Sequence, residues 1–173
     1  MQKKILADKL IQNGIYKSVL IISSSIGGTP ISRWQRDGDL NEMVLNVIRQ
    51  LKSEYKITQV IWYQGESDYI NKTSAKIYMK MFNSLVETLR ENNVNAPIFI
   101  AIATKCGGKS VGEEQNPTAI GQHQLVDNKN IFLGVNTDLL LSPSDRQADG
   151  CHFRETGQLK TVESLAKAIG EAR

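Results

Sequence analysis

The sequence predicts an α/β domain of three layers, α/β/α, with a parallel sheet between two sets of helices. Three observations carry that expectation. Four short apolar runs rich in β-branched residues recur, at 17–24, 57–63, 96–103 and within 130–140. Each is separated from the next by a stretch with helical apolar spacing. Polar, glycine-bearing clusters follow the runs, at the carboxyl edge where open parallel sheets form their sites.

Taken in order, residues 3–13 space Ile5, Leu6 and Leu10 as a helix that Gly14 stops. "KSVLIISS" (17–24) is continuously apolar, as a strand buried on both faces would be. "SIGGTPISRW" follows as a Gly/Pro loop. From 39 to 54, Leu40, Met43, Val44, Val47, Ile48 and Leu51 form a helical stripe. "ITQVIWY" (57–63) is a second buried strand and leads into "QGESD". Residues 73–92 form a long helix with Ile77, Met81, Leu85 and Leu89 on its core face and Tyr78, Phe82 and Val86 alongside. "APIFIAIA" (96–103) is a third strand, 105–117 a glycine-rich loop and 117–127 a helix. Residues 130–140 contain the fourth strand, 142–153 is a loop, and the chain closes on a helix.

The 173 residues suit one domain, 1–173, with a single sizeable core. The net charge is +3, and the basic residues are scattered, which argues against nucleic-acid binding. No apolar run approaches a membrane span, and the N-terminus resembles an amphipathic helix more than a signal peptide. Cys106 and Cys151 form no C-x-x-C pair, which argues against structural zinc. Two free thiols are the default expectation, with a disulfide between them left open.

Three clusters carry chemistry. In "DGCHF", Asp149 can accept a hydrogen bond from one imidazole nitrogen of His152, leaving the other as a general base. The competing reading is a loop histidine at the start of the last helix. In "IGGTPISRW", Gly27 and Gly28 can present backbone N–H groups to an oxyanion. Trp34 in the same block is either a sugar-stacking platform or the lid of a small core. In "IWYQGESD", Ser67 is flanked by Glu66 and Asp68 and lacks the small neighbours of a nucleophile elbow, so it is a poor nucleophile.

The blocks "VLIISSSIGGTPISRW", "VIWYQGESD" and "DGCHF", in that order, resemble the sialate O-acetylesterase-like branch of the SGNH hydrolases, whose relatives include acetylxylan esterases. The resemblance spans roughly residues 18 to 155. It implies a flavodoxin-like fold and hydrolysis of acyl esters, typically acetyl groups on sugars, with no metal or organic cofactor. It assigns His152 as general base and Asp149 as its orienter. One glycine of the Gly27–Gly28 pair would donate to the oxyanion. Gln64, Gly65 and Glu66 would complete the oxyanion and substrate wall, with Gln64 the foremost donor and Glu66 an alternative support for the histidine.

The sequence departs from that family in one respect. Members carry G-Q-S-N or G-D-S, holding the nucleophilic serine, at the end of a first strand; this sequence has no such block. The expectation is that this strand and its serine lie upstream of Met1. The 17–24 and 57–63 runs then either pair directly or accept a strand from a complementing N-terminal segment or a second chain. Ser25 and Cys106 are the internal alternatives for a nucleophile; His123 is expected on a helix surface. The expected function is a carbohydrate O-acetylesterase acting on an acetylated sugar. The alternatives are an inactive carbohydrate-binding pseudoenzyme that uses Trp34 and the Gly-Gly loop, and a GDSL-type lipase or thioesterase.

Overall fold

The computed structural model describes residues 3–107 and 111–172. Gly108, within the glycine-rich loop expected at 105–117, lies outside the described residues. Among those described, three parallel strands form a sheet of order β1-β2-β3: β1 (Val60–Tyr63), β2 (Ile98–Ile102) and β3 (Ile131–Asn136). The registers pair Val60 with Ile98 and Ile98 with Ile131. Between Ile100 and Ala101 the β2–β3 register slips by a residue. Gly134 lies at that slip, and a Cβ there would sit 2.8 Å from the Leu165 side chain.

Alternation along β2 builds the three layers. Ile98 and Ile100 face a core with Ile48, Tyr78, Phe82, Leu85 and Leu89, contributed by α2 (Asp39–Leu51) and α4 (Ala75–Glu91). Phe99 faces the opposite core with Leu6, Leu10, Val162, Leu165 and Ile169, contributed by α1 (Lys3–Gln12) and α7 (Glu155–Glu171). A short α3 (Glu66–Ile70) follows β1, α5 (Pro117–Leu125) packs against α4, and α6 (Thr137–Leu140) follows β3. Local signals set several helix starts: Ser74 caps α4 at Ile77 N–H, and Asn116 caps α5 ahead of Pro117. On α4 the buried stripe is Tyr78, Phe82, Leu85 and Leu89, whereas Ile77, expected on the core face, is 49% exposed. The 3.6-residue period allows one stripe, and the larger rings occupy it.

The principal departure from the sequence expectation is 17–24. It is not a strand: it joins no ladder, and its backbone makes no hydrogen bond within the described residues. Val19 and Ile21 still pack beside Ile61 on the α1/α7 side, while Leu20 is 61% exposed. The alternation of a strand persists, but pairing requires a neighbour, and β1 hydrogen bonds only to β2 among the described strands. The two runs therefore do not pair directly.

Candidate active site

β1 ends at the site. The ring of Tyr63, its last residue, meets Phe153 edge-on at 6.3 Å, and Phe153 adjoins His152. The next residue, Gln64, donates from Nε2 to the carbonyl of Thr29 at 3.1 Å. One strand end thus touches both the histidine loop and the Gly-Gly loop.

In the histidine loop, Asp149 Oδ2 lies 2.6 Å from His152 Nδ1. Asp149 Oδ1 accepts the N–H groups of Cys151 (2.8 Å) and His152 (2.9 Å). Gly150, at φ 67°, supplies the left-handed residue that closes this turn. The imidazole hydrogen bond, followed by the two N–H groups, holds the Asp149 carboxyl at about 2. The His152 side chain is 75% exposed, and its Nε2 has no hydrogen-bond partner among the described residues. A base with one nitrogen oriented by a carboxylate and the other open is suited to proton transfer.

Gly27 and Gly28 form an exposed turn, Gly28 at φ 69°, and neither N–H is hydrogen bonded within the described residues. Thr29 and Ile31 anchor this turn. The Thr29 hydroxyl donates to Ile26 O, and Ile31 N–H donates to Asp68 Oδ2 at 2.8 Å. Gln64 Nε2 donates to Asp68 Oδ2 as well as to Thr29 O, so both of its hydrogens are engaged, while Tyr78 donates to its Oε1. Gln64 is thus a brace between β1 and the Gly-Gly loop in this arrangement. Gly65 is required by close approach: a Cβ there would lie 2.7 Å from Ala103 O and 2.8 Å from Gln122 Nε2. Glu66 opens α3; burial raises its pKa, its own and Gly65's N–H groups lower it, and nearby Asp138 raises it further. It makes no hydrogen bond or ion pair with His152, whose partner is Asp149.

The structure selects among the readings of Trp34 and of the two cysteines. Trp34 is not a sugar platform: it is 4% exposed, its indole N–H donates to Thr29 Oγ1, and its ring meets Trp62 edge-on. The core between α2 and α4 takes the ring, and the hydroxyl of Thr29 satisfies its one polar atom. The cysteines are not free: Cys106 and Cys151 form a disulfide, because the loop after β2 folds against the turn that carries His152. That bond also removes Cys106 as a nucleophile. The Ser25 hydroxyl bonds to Ser23 at 3.0 Å and makes no hydrogen bond to His152. His123, on α5, pairs with Glu113 at 3.1 Å on the surface, as expected.

Sequence reasoning missed two residues. Asp68, 1% exposed, collects Ile31, Gln64 and Thr73; its signal was its place at the end of W-x-Q-G-E-S-D. Arg146, 6% exposed, donates to carbonyls in three segments, and no local pattern announces that. Ser67 lies inside the first turn of α3.

The family model described as carbohydrate esterase, sialic acid-specific acetylesterase, matches residues 3–171. A probable carbohydrate esterase of Arabidopsis thaliana is 29% identical over 153 residues, covering 86% of this chain and 54% of that protein. The chain therefore spans about half the length of that curated relative. Among solved structures, a carbohydrate esterase family 3 protein from Talaromyces cellulolyticus is similar at a TM-score of 0.65 and 12% identity, over 94% of this chain and 86% of that one. An acetyl xylan esterase is similar at a TM-score of 0.65 and 16% identity, over 96% and 89%. At these identities the structural likeness is one of fold.

Proposed function

Because the chain belongs to the carbohydrate esterase family of sialic acid-specific acetylesterases, we propose that it carries the base and oxyanion half of a carbohydrate O-acetylesterase. The observation that supports this most directly is the 2.6 Å contact between Asp149 and the Nδ1 of an exposed His152. In this reading His152 Nε2 takes the proton of a serine hydroxyl as the serine oxygen attacks an acetyl carbonyl. Gly27 or Gly28 N–H receives the oxyanion. The imidazolium then protonates the departing sugar oxygen, and the same base activates water to release acetate from the serine. Asp149 holds the Nδ1 proton throughout. Gln64 joins the oxyanion donors only by giving up its bond to Thr29 or to Asp68, and Glu66 forms the wall beside them.

The proposed nucleophile is a serine on a strand that pairs with the free edge of β1 and comes from a complementing N-terminal segment or a second chain. The 17–24 segment and one edge of β1, both unpaired among the described residues, support this. The decisive assay is acetate release from O-acetylated sialic acid and from acetylated xylo-oligosaccharides by the longest protein that contains this chain. His152→Ala is expected to lower turnover on the order of a hundredfold or more. Unchanged turnover in that variant would sink the assignment. Asp149→Asn should lose most of the activity by presenting the wrong tautomer.

A further inference from the structure

We propose that Arg146 is the positioning residue for the Asp149–His152 pair, setting the histidine loop against the end of the sheet. The role rests on the preceding reading of that pair.

The Arg146 guanidinium is buried, and its charge is matched by Asp138 at 3.8 Å. Its Nη1 donates to Lys105 O at 3.0 Å and to Cys151 O at 3.4 Å, and its Nη2 donates to Thr137 O at 3.2 Å. These carbonyls belong to the exit of β2, the residue before His152 and the exit of β3. One planar fork therefore ties the loop to two strand ends. Its face covers the Phe153 ring at 5.0 Å, and Phe153 in turn meets Tyr63 at the end of β1. All three strand exits thus converge on Arg146. The backbone repeats the arrangement, with an Arg146–Phe153 bridge and Gln147 N–H donating to His152 O at 2.8 Å.

The Cys106–Cys151 disulfide holds the same loop at a single point. The backbone bonds join the loop to itself; the guanidinium adds to the disulfide a tie from the loop to the exits of both β2 and β3. Lysine cannot replace it, because an ammonium is a point charge on a flexible stem. It can neither span three separated carbonyls nor lie flat on a ring.

The test is the nuclear Overhauser contact between the Tyr63 and Phe153 rings, with the stacked Phe99–Phe132 pair, 5.5 Å apart, as an internal control for the fold. In Arg146→Lys the Tyr63–Phe153 contact should vanish while the Phe99–Phe132 contact persists. A folded Arg146→Lys protein that keeps both contacts overturns the proposal. The second arm uses the wild-type chain reduced with dithiothreitol. With Arg146 intact, the Tyr63–Phe153 contact should survive; its loss while the control contact persists assigns positioning to the disulfide and also overturns the proposal. In any protein containing this chain that releases acetate from an acetyl ester, Arg146→Lys should lower kcat on the order of tenfold or more with little change in KM. A change confined to KM contradicts it. The ring contacts are read without turnover, so an inactive wild type counts against the esterase reading alone.

Discussion

Asp68 Oδ2 accepts the backbone N–H of Ile31 at 2.8 Å, joining the Gly-Gly loop to the helix that follows β1, 37 residues away in the chain. The same carboxylate receives Gln64 and Thr73, and its side chain is essentially inaccessible. It places the turn at Gly27–Gly28 relative to the strand end, so the geometry of the proposed oxyanion donors depends on a buried carboxylate.

Asp68→Ala should therefore leave three donors without an acceptor in a buried place, costing about 2–4 kcal/mol of stability. Asp68→Asn retains an acceptor oxygen and should cost less. Urea denaturation measures both; equal midpoints for Asp68→Ala and wild type would contradict the anchoring role.

Gly65→Ala places a methyl group 2.7 Å from Ala103 O. The clash is with backbone, which yields poorly, so a loss of about 2 kcal/mol is expected. Gly27→Ala, whose Cβ would meet nothing within 4 Å, should leave stability nearly unchanged. Thermal unfolding of the two variants side by side decides the point; similar losses would refute it.

Acid should weaken the fold through depressed carboxylates. Asp149 sits at about 2 against an ordinary 3.8, through its His152 hydrogen bond first. Asp127 also reaches about 2: burial alone raises it, but the N–H groups of Ile131, Lys129 and Asn130 outweigh that effect. A lowered folded-state pKa stabilises fully above the unfolded value and is lost as pH falls through the folded one, so stability should drop between about pH 4 and pH 2. Asp127→Asn should flatten that limb in denaturation midpoints taken across the range. Glu66 has the opposite sign: burial first raises its pKa, so ionising it opposes folding as pH rises. Glu66→Gln should raise the midpoint at neutral pH and change it little in acid.

The chain alone should hydrolyse p-nitrophenyl acetate very weakly, and Ser25→Ala should not alter the rate, since the Ser25 hydroxyl is turned to Ser23. Robust turnover abolished by Ser25→Ala would identify an internal nucleophile and overturn the proposed external one.

What the sequence determined by itself was local. Helical stripes at 39–54 and 73–92, capping residues such as Ser74 and Asn116, and the turn that lets Asp149 reach His152 depend on neighbours within a few positions. The W-x-Q-G-E-S-D block marked the end of β1 for the same reason. The tertiary structure decided what depends on distant partners. The 17–24 run has strand chemistry but no ladder among the described residues, since a strand is made by the chain beside it. Trp34 is core because Trp62 and Thr29 enclose it; Cys106 meets Cys151 across 45 residues; and Gln64 is engaged because Thr29 and Asp68 claim its amide. Arg146 gathers three strand exits that share no sequence neighbourhood. Side-chain type states which bonds a residue can make, and only packing selects which of them it does make.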